Sequence, residues 1–138
     1  MHANPDKQEI RDLLNRARTV AVVGLSDRPY RTSNAIAAAL QGYGYKIFPV
    51  NPNLKGPVLG EEPYGSVADI PTTVDIVDVF RRSEMVMPVA TDAVAAGAKV
   101  LWLQSGVIDD EAAAYATERG LTVVMDRCIK VDYASLVR

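Results

Sequence analysis

Short runs that are apolar at almost every position alternate along this chain with longer stretches whose apolar residues recur at helical spacing. The short runs are Val20–Leu25, Tyr45–Val50, Val74–Phe80, Val100–Leu103 and Thr122–Asp126, all rich in Val and Ile. A strand that is apolar on consecutive positions is buried on both faces, which is the habit of parallel sheets. Helical patterning occupies Ser33–Gln41, Glu84–Ala96 and Asp109–Arg119, with a shorter helix near Ser66–Asp69. The three longer helices run into Gly42 and Gly44, Gly97 and Gly120, as helices do where the backbone turns left-handed on leaving them. Ahead of the first strand, Asp6 is placed to cap a helix carrying Ile10, Leu13, Leu14 and Ala17 on one face. That helix should end near Thr19 and lie as a lid on the sheet edge.

Parallel neighbours need long crossover connections, and those crossovers are right-handed. The pattern therefore predicts an α/β chain: a doubly wound, mainly parallel, five-stranded Rossmann-like sheet with helices on both faces. In such sheets ligands bind outside the carboxyl ends of the strands, so the residues just after each strand are the candidates for function. At 138 residues the expectation is one domain over 1–138. The stretch Asn51–Gly65 is long for a connection and rich in Pro and Gly, which fits either a binding loop or a surface detour.

After the first strand the chain reads Gly24-Leu25-Ser26-Asp27-Arg28-Pro29-Tyr30-Arg31-Thr32-Ser33-Asn34, and then the helix begins. A glycine there lets a ligand approach the backbone, and the open amides of the following helix attract anions. Arg28 and Arg31 suit phosphate oxygens, with Ser26, Thr32 or Ser33 as further donors; the alternative is a solvated turn with a capping hydroxyl. The loop lacks the glycines of a dinucleotide fingerprint, and Asn51 stands where a nicotinamide enzyme would carry an acid, so NAD is the weaker nucleotide. Pro49, Val50 and Pro52 offer an apolar rim for an adenine, and Lys55 a further phosphate partner. Arg81, after Phe80, is a cation at a strand end without an obvious structural partner. Gln104-Ser105-Gly106 form a small polar turn after the fourth strand.

Charge adds exclusions rather than a partner. The 15 basic and 17 acidic residues nearly balance, which disfavours a nucleic-acid ligand. No apolar run approaches the length of a membrane span, and no signal sequence or disulfide pairing is legible, so a cytoplasmic protein without a membrane partner is expected. Cys128, flanked by Arg127 and Lys130, reads either as a nucleophile or as a buried, inert thiol, and His2 is the one histidine available to activate it. Metal binding fails for want of ligands.

Taken together, VAVVGLS at 20–26, YKIFPVNPN at 45–53, VDIVDVFRR at 74–82, VLWLQSG at 100–106 and VVMDRCIKV at 123–131 resemble the CoA-binding domain proteins. These are related to the amino-terminal domain of the succinyl-CoA synthetase α subunit, and the resemblance covers nearly the whole chain. It implies a stand-alone domain that binds coenzyme A or an acyl-CoA along the carboxyl edge of the sheet. Gly24, Ser26, Arg28, Arg31 and Ser33 would then surround phosphates, and Val50, Asn51, Pro52 and Lys55 the adenosine end. Phe80, Arg81, Val86, Gln104, Ser105 and Gly106 would form the remaining wall. The synthetase works through a phosphorylated histidine in another domain, which this chain lacks, so the expected role is non-catalytic: a carrier, a sensor or a partner subunit, with a protein partner or self-association left open. The alternatives are a nicotinamide-dependent oxidoreductase, a CoA-transferring enzyme, and an interaction module with a vestigial nucleotide crevice.

Overall fold

The computed structural model describes residues 1–138. Its sheet consists of β1 (Thr19–Val23), β2 (Lys46–Val50), β3 (Ile76–Val79), β4 (Val100–Leu103) and β5 (Thr122–Met125) in the order β2-β1-β3-β4-β5. Every pairing is parallel, so the expected mainly parallel sheet is wholly so. Observed element ends fall within a few residues of the expected ones.

Alternation along each strand sends successive side chains to opposite faces, and both faces are buried. Ala21, Val77, Leu101 and Val123 belong to a core under α3 (Val86–Ala95) and α4 (Asp110–Glu118), with a 3-10 turn at Val67–Asp69 beside α3. Val20, Ile76, Trp102 and Val124 belong to the core on the other face, under α1 (Lys7–Arg16), α2 (Thr32–Gly42) and α5 (Ile129–Leu136).

The first helix is not a lid on the sheet edge: Ile10, Leu13 and Leu14 are buried in the same core as residues of all five strands, so α1 lies across a face. The segment after β5, for which the sequence pattern above names no element, forms α5, packed beside α1 and α2. Asp6 caps α1 as expected, accepting a hydrogen bond from the Glu9 amide at 2.8 Å.

The two outer strands are both protected, which matters because an open strand edge invites pairing with another chain. The loop after β2 turns at Val58 and Glu61 and returns so that the Tyr64 amide donates to the Pro49 carbonyl at 2.9 Å. Pro49 itself lies on this outer strand, where a missing amide is tolerated. No helix is long and apolar enough to cross a membrane.

Candidate functional site at the carboxyl ends of the strands

The chain winds in opposite directions from β1 to β2 and from β1 to β3, so the carboxyl ends of β1 and β3 diverge at a topological switch point. Gly24 stands there. Its amide donates to the Val50 carbonyl and the Phe80 amide donates to the Val23 carbonyl, each at 2.8 Å, which draws the ends of three strands together. Gly24 has φ +88°, and a Cβ at this position would collide with the Phe80 carbonyl oxygen. Only glycine keeps the seam this tight.

On one side of the seam is an open cleft of about 570 Å³ lined by Gly24, Ser26, Arg28, Arg31, Thr32, Ser33 and Phe80. Internal hydrogen bonds fix its loop. The buried Ser33 hydroxyl accepts from the Ser26 amide at 3.0 Å, Ser26 Oγ accepts from the Arg28 amide at 3.1 Å, and Asn34 Nδ2 donates to the Ser26 carbonyl at 2.9 Å. No side chain caps α2, whose first turn supplies Thr32 and Ser33 to the cleft wall. Neither Arg28 nor Arg31 is ion-paired. Open helix amides and two unneutralised guanidiniums are an arrangement suited to an anion by both hydrogen bonding and field.

The opposite side of the seam holds a second cleft of about 270 Å³, with Val50, Pro52, Met85, Pro88 and Val89 as its apolar wall and Arg81, Ser66 and Asp92 as polar groups. Asn51 joins the two: its Nδ2 donates to the Leu25 carbonyl at 3.1 Å while its Oδ1 accepts from the Asn53 amide at 3.0 Å. The returning end of the long loop brings Gly65 and Ser66 to this cleft. The Asn51–Gly65 stretch thus serves both readings, covering an edge and contributing to a wall.

The expected residues divide accordingly. Gly24, Ser26, Arg28, Arg31, Ser33 and Phe80 line the first cleft, and Val50, Pro52 and Arg81 the second. Lys55 is exposed in its loop and lines neither. Val86, the first residue of α3, is fully buried, a core residue rather than a wall. Gln104 is buried and its Oε1 accepts from the Ile129 amide at 3.1 Å, so its side chain serves the start of α5. Ser105 and Gly106 form an exposed turn apart from both clefts, tied by the Gly106 amide to Asp126 Oδ1 at 2.7 Å. Reading the sequence missed Asn34, which locks the loop after β1, and Pro88 and Val89. Asn34 stands on the third residue of α2, where its amide can reach back over the turn, and that was the available signal.

The family model described as "CoA binding domain" matches residues 18–134. The chain is 47% identical over 131 residues to the uncharacterized protein YneT of Bacillus subtilis (strain 168), covering 95% of this chain and 96% of that protein. A hypothetical protein from Pyrococcus horikoshii OT3 superposes with a TM-score of 0.93 at 34% identity, covering 100% of both chains. An acetyl-coenzyme A synthetase of Ca. Korarchaeum cryptofilum, solved with phosphate and ADP, matches at a TM-score of 0.70 and 26% identity. That match covers 84% of this chain and 28% of the synthetase.

Proposed function

This chain belongs to the CoA-binding domain family, and from that membership we propose that residues 1–138 form one cytoplasmic domain that holds coenzyme A or an acyl-CoA across the β1–β3 seam. The observation that carries the reading is the Gly24 seam, where the backbone is bare enough for close approach and opens on one side to uncapped helix amides and two unpaired arginines. The donor set fits a diphosphate: guanidiniums, hydroxyls and amides, with no carboxylate among the lining residues of that cleft. The apolar cleft across the seam fits a purine face, and Arg81 beside it fits a further phosphate.

The role we assign is binding rather than turnover, as a carrier, sensor or partner subunit. In the match to the Ca. Korarchaeum cryptofilum synthetase, the chain corresponds to about a quarter of that enzyme, which suits a holding module. Isothermal titration with coenzyme A, compared with NAD, NADP and ATP, tests the reading. Preferred, saturable binding of coenzyme A, weakened at least about ten-fold by combined Arg28→Ala and Arg31→Ala, is expected from the loss of two charge-assisted contacts. A flat trace at millimolar coenzyme A overturns it.

A further inference from the structure

Two arginines on an exposed loop serve a phosphate poorly if both must be ordered when it arrives, because that ordering costs binding free energy. In the loop between β1 and α2, Arg28 and Arg31 are exposed and unpaired, although Asp27 is next in sequence. One side chain gathers them both. Arg28 Nη1 donates to the Tyr30 hydroxyl at 3.2 Å, and the Arg31 guanidinium carbon lies 5.8 Å from the Tyr30 ring centroid.

Tyr30 itself is 74% exposed, so core packing does not account for its place. A phenol differs here from a carboxylate in one decisive respect. It orients a guanidinium through its oxygen and its ring face while leaving the positive charge unneutralised. An acid at this position would hold the same arginines and then compete with the incoming phosphate.

We infer that Tyr30 is the positioning residue of this cleft, holding Arg28 and Arg31 ready for a diphosphate ester while keeping both charges free. Two cations gathered by one side chain, Arg28 at its hydroxyl and Arg31 at its ring, suit the paired phosphates of a diphosphate better than a single monoester. The inference rests on the coenzyme A reading and deepens it.

The test is titration of the wild-type chain and of Tyr30→Ala, Tyr30→Phe and Tyr30→Glu with coenzyme A and with inorganic pyrophosphate at several salt concentrations, alongside thermal melts. Tyr30→Ala should weaken both ligands by about five-fold, the scale of one exposed cation–π contact and one modest hydrogen bond. Its melting temperature and salt dependence should match the wild type, because no charge is removed and no core contact is lost. Tyr30→Phe, which keeps the ring, should fall between. Tyr30→Glu should bind more weakly than Tyr30→Ala and show a shallower salt dependence. Tyr30→Ala that binds both ligands as the wild type does, or Tyr30→Glu that binds as tightly as wild type, overturns the inference while the coenzyme A reading stands. A wild-type chain that binds no coenzyme A overturns that reading instead, and this inference with it.

Discussion

Asp78 lies on β3, the middle strand, between Val22 and Trp102, with no exposed surface and no hydrogen bond to either carboxylate oxygen. Burial alone pushes its carboxyl well above the usual carboxylate range, so folding favours its neutral form. The sign of the pH effect follows. Below the unfolded pKa, about 3.9, both states are protonated and the group costs nothing through ionisation. Above it the unfolded chain releases the proton and the folded chain does not, so stability falls as pH rises toward the folded pKa, by up to about 1.4 kcal/mol per pH unit. Asp78→Asn cannot ionise. Denaturant unfolding at pH 5, 6.5 and 8 should show the variant gaining on the wild type as pH rises; a difference constant across the three would rule out the buried acid as its source. Nothing in the sequence distinguishes Asp78 from a surface acid except its position in VDIVDV, where period-two alternation places it inward with Ile76. Gly24 was legible for a better reason, since a glycine closing an apolar run is itself a backbone statement. Gln104 misled because a polar residue at a strand end looks the same whether it faces a ligand or caps a helix.

At the scale of elements, the edge of β5 is closed by side chains rather than by a strand. Asn4 Oδ1 accepts from the Met125 amide at 2.8 Å and Asn4 Nδ2 donates to the Met125 carbonyl at 2.9 Å, imitating the exchange of an antiparallel pair. His2 adds a contact from its ring to the Val123 carbonyl at 2.9 Å, and its amide donates to Asp110 Oδ1 at 2.8 Å. With a net contribution near 1 kcal/mol per hydrogen bond, Asn4→Ala should lower stability by about 1–2 kcal/mol. The Met125 amide should also exchange faster with solvent while amides in β3 keep their protection; unchanged exchange at Met125 would show that the contact does not hold the edge. These contacts join residues more than a hundred positions apart, which no local pattern announces. The helix α5 is a different miss, because Ile129, Tyr133 and Leu136 recur at helical spacing and were there to be read. Its start is tied by Arg127, whose guanidinium grips Asp132 with two bonds of 2.7 Å, and by Gln104.

The whole molecule places its candidate site where strand order reverses, and that follows from a sequence of buried strands and right-handed crossovers before any side chain is considered. The strands and the first cleft were legible because their signals are local: apolar runs, a glycine, then arginines and hydroxyls. The second cleft was only half legible, since Pro88 and Val89 on α3 meet Pro52 and Ser66 through tertiary packing alone. A ligand that engages both clefts ties α2, the long loop and α3 to the same seam, so its binding free energy appears as folding stability. At a concentration one hundred times its dissociation constant, such a ligand adds about 2.7 kcal/mol, on the order of a 10 °C rise in melting temperature for a chain of this length. Coenzyme A should produce that rise. Inorganic pyrophosphate, which on this reading engages the first cleft alone, should bind more weakly and produce a smaller rise at the same concentration. Hydrogen exchange separates the two further: coenzyme A should slow exchange in both α2 and the Gly65–Val67 segment, whereas pyrophosphate should slow it in α2 only. No protection of Gly65–Val67 by coenzyme A would place the whole binding effect in the first cleft and remove the second from the site.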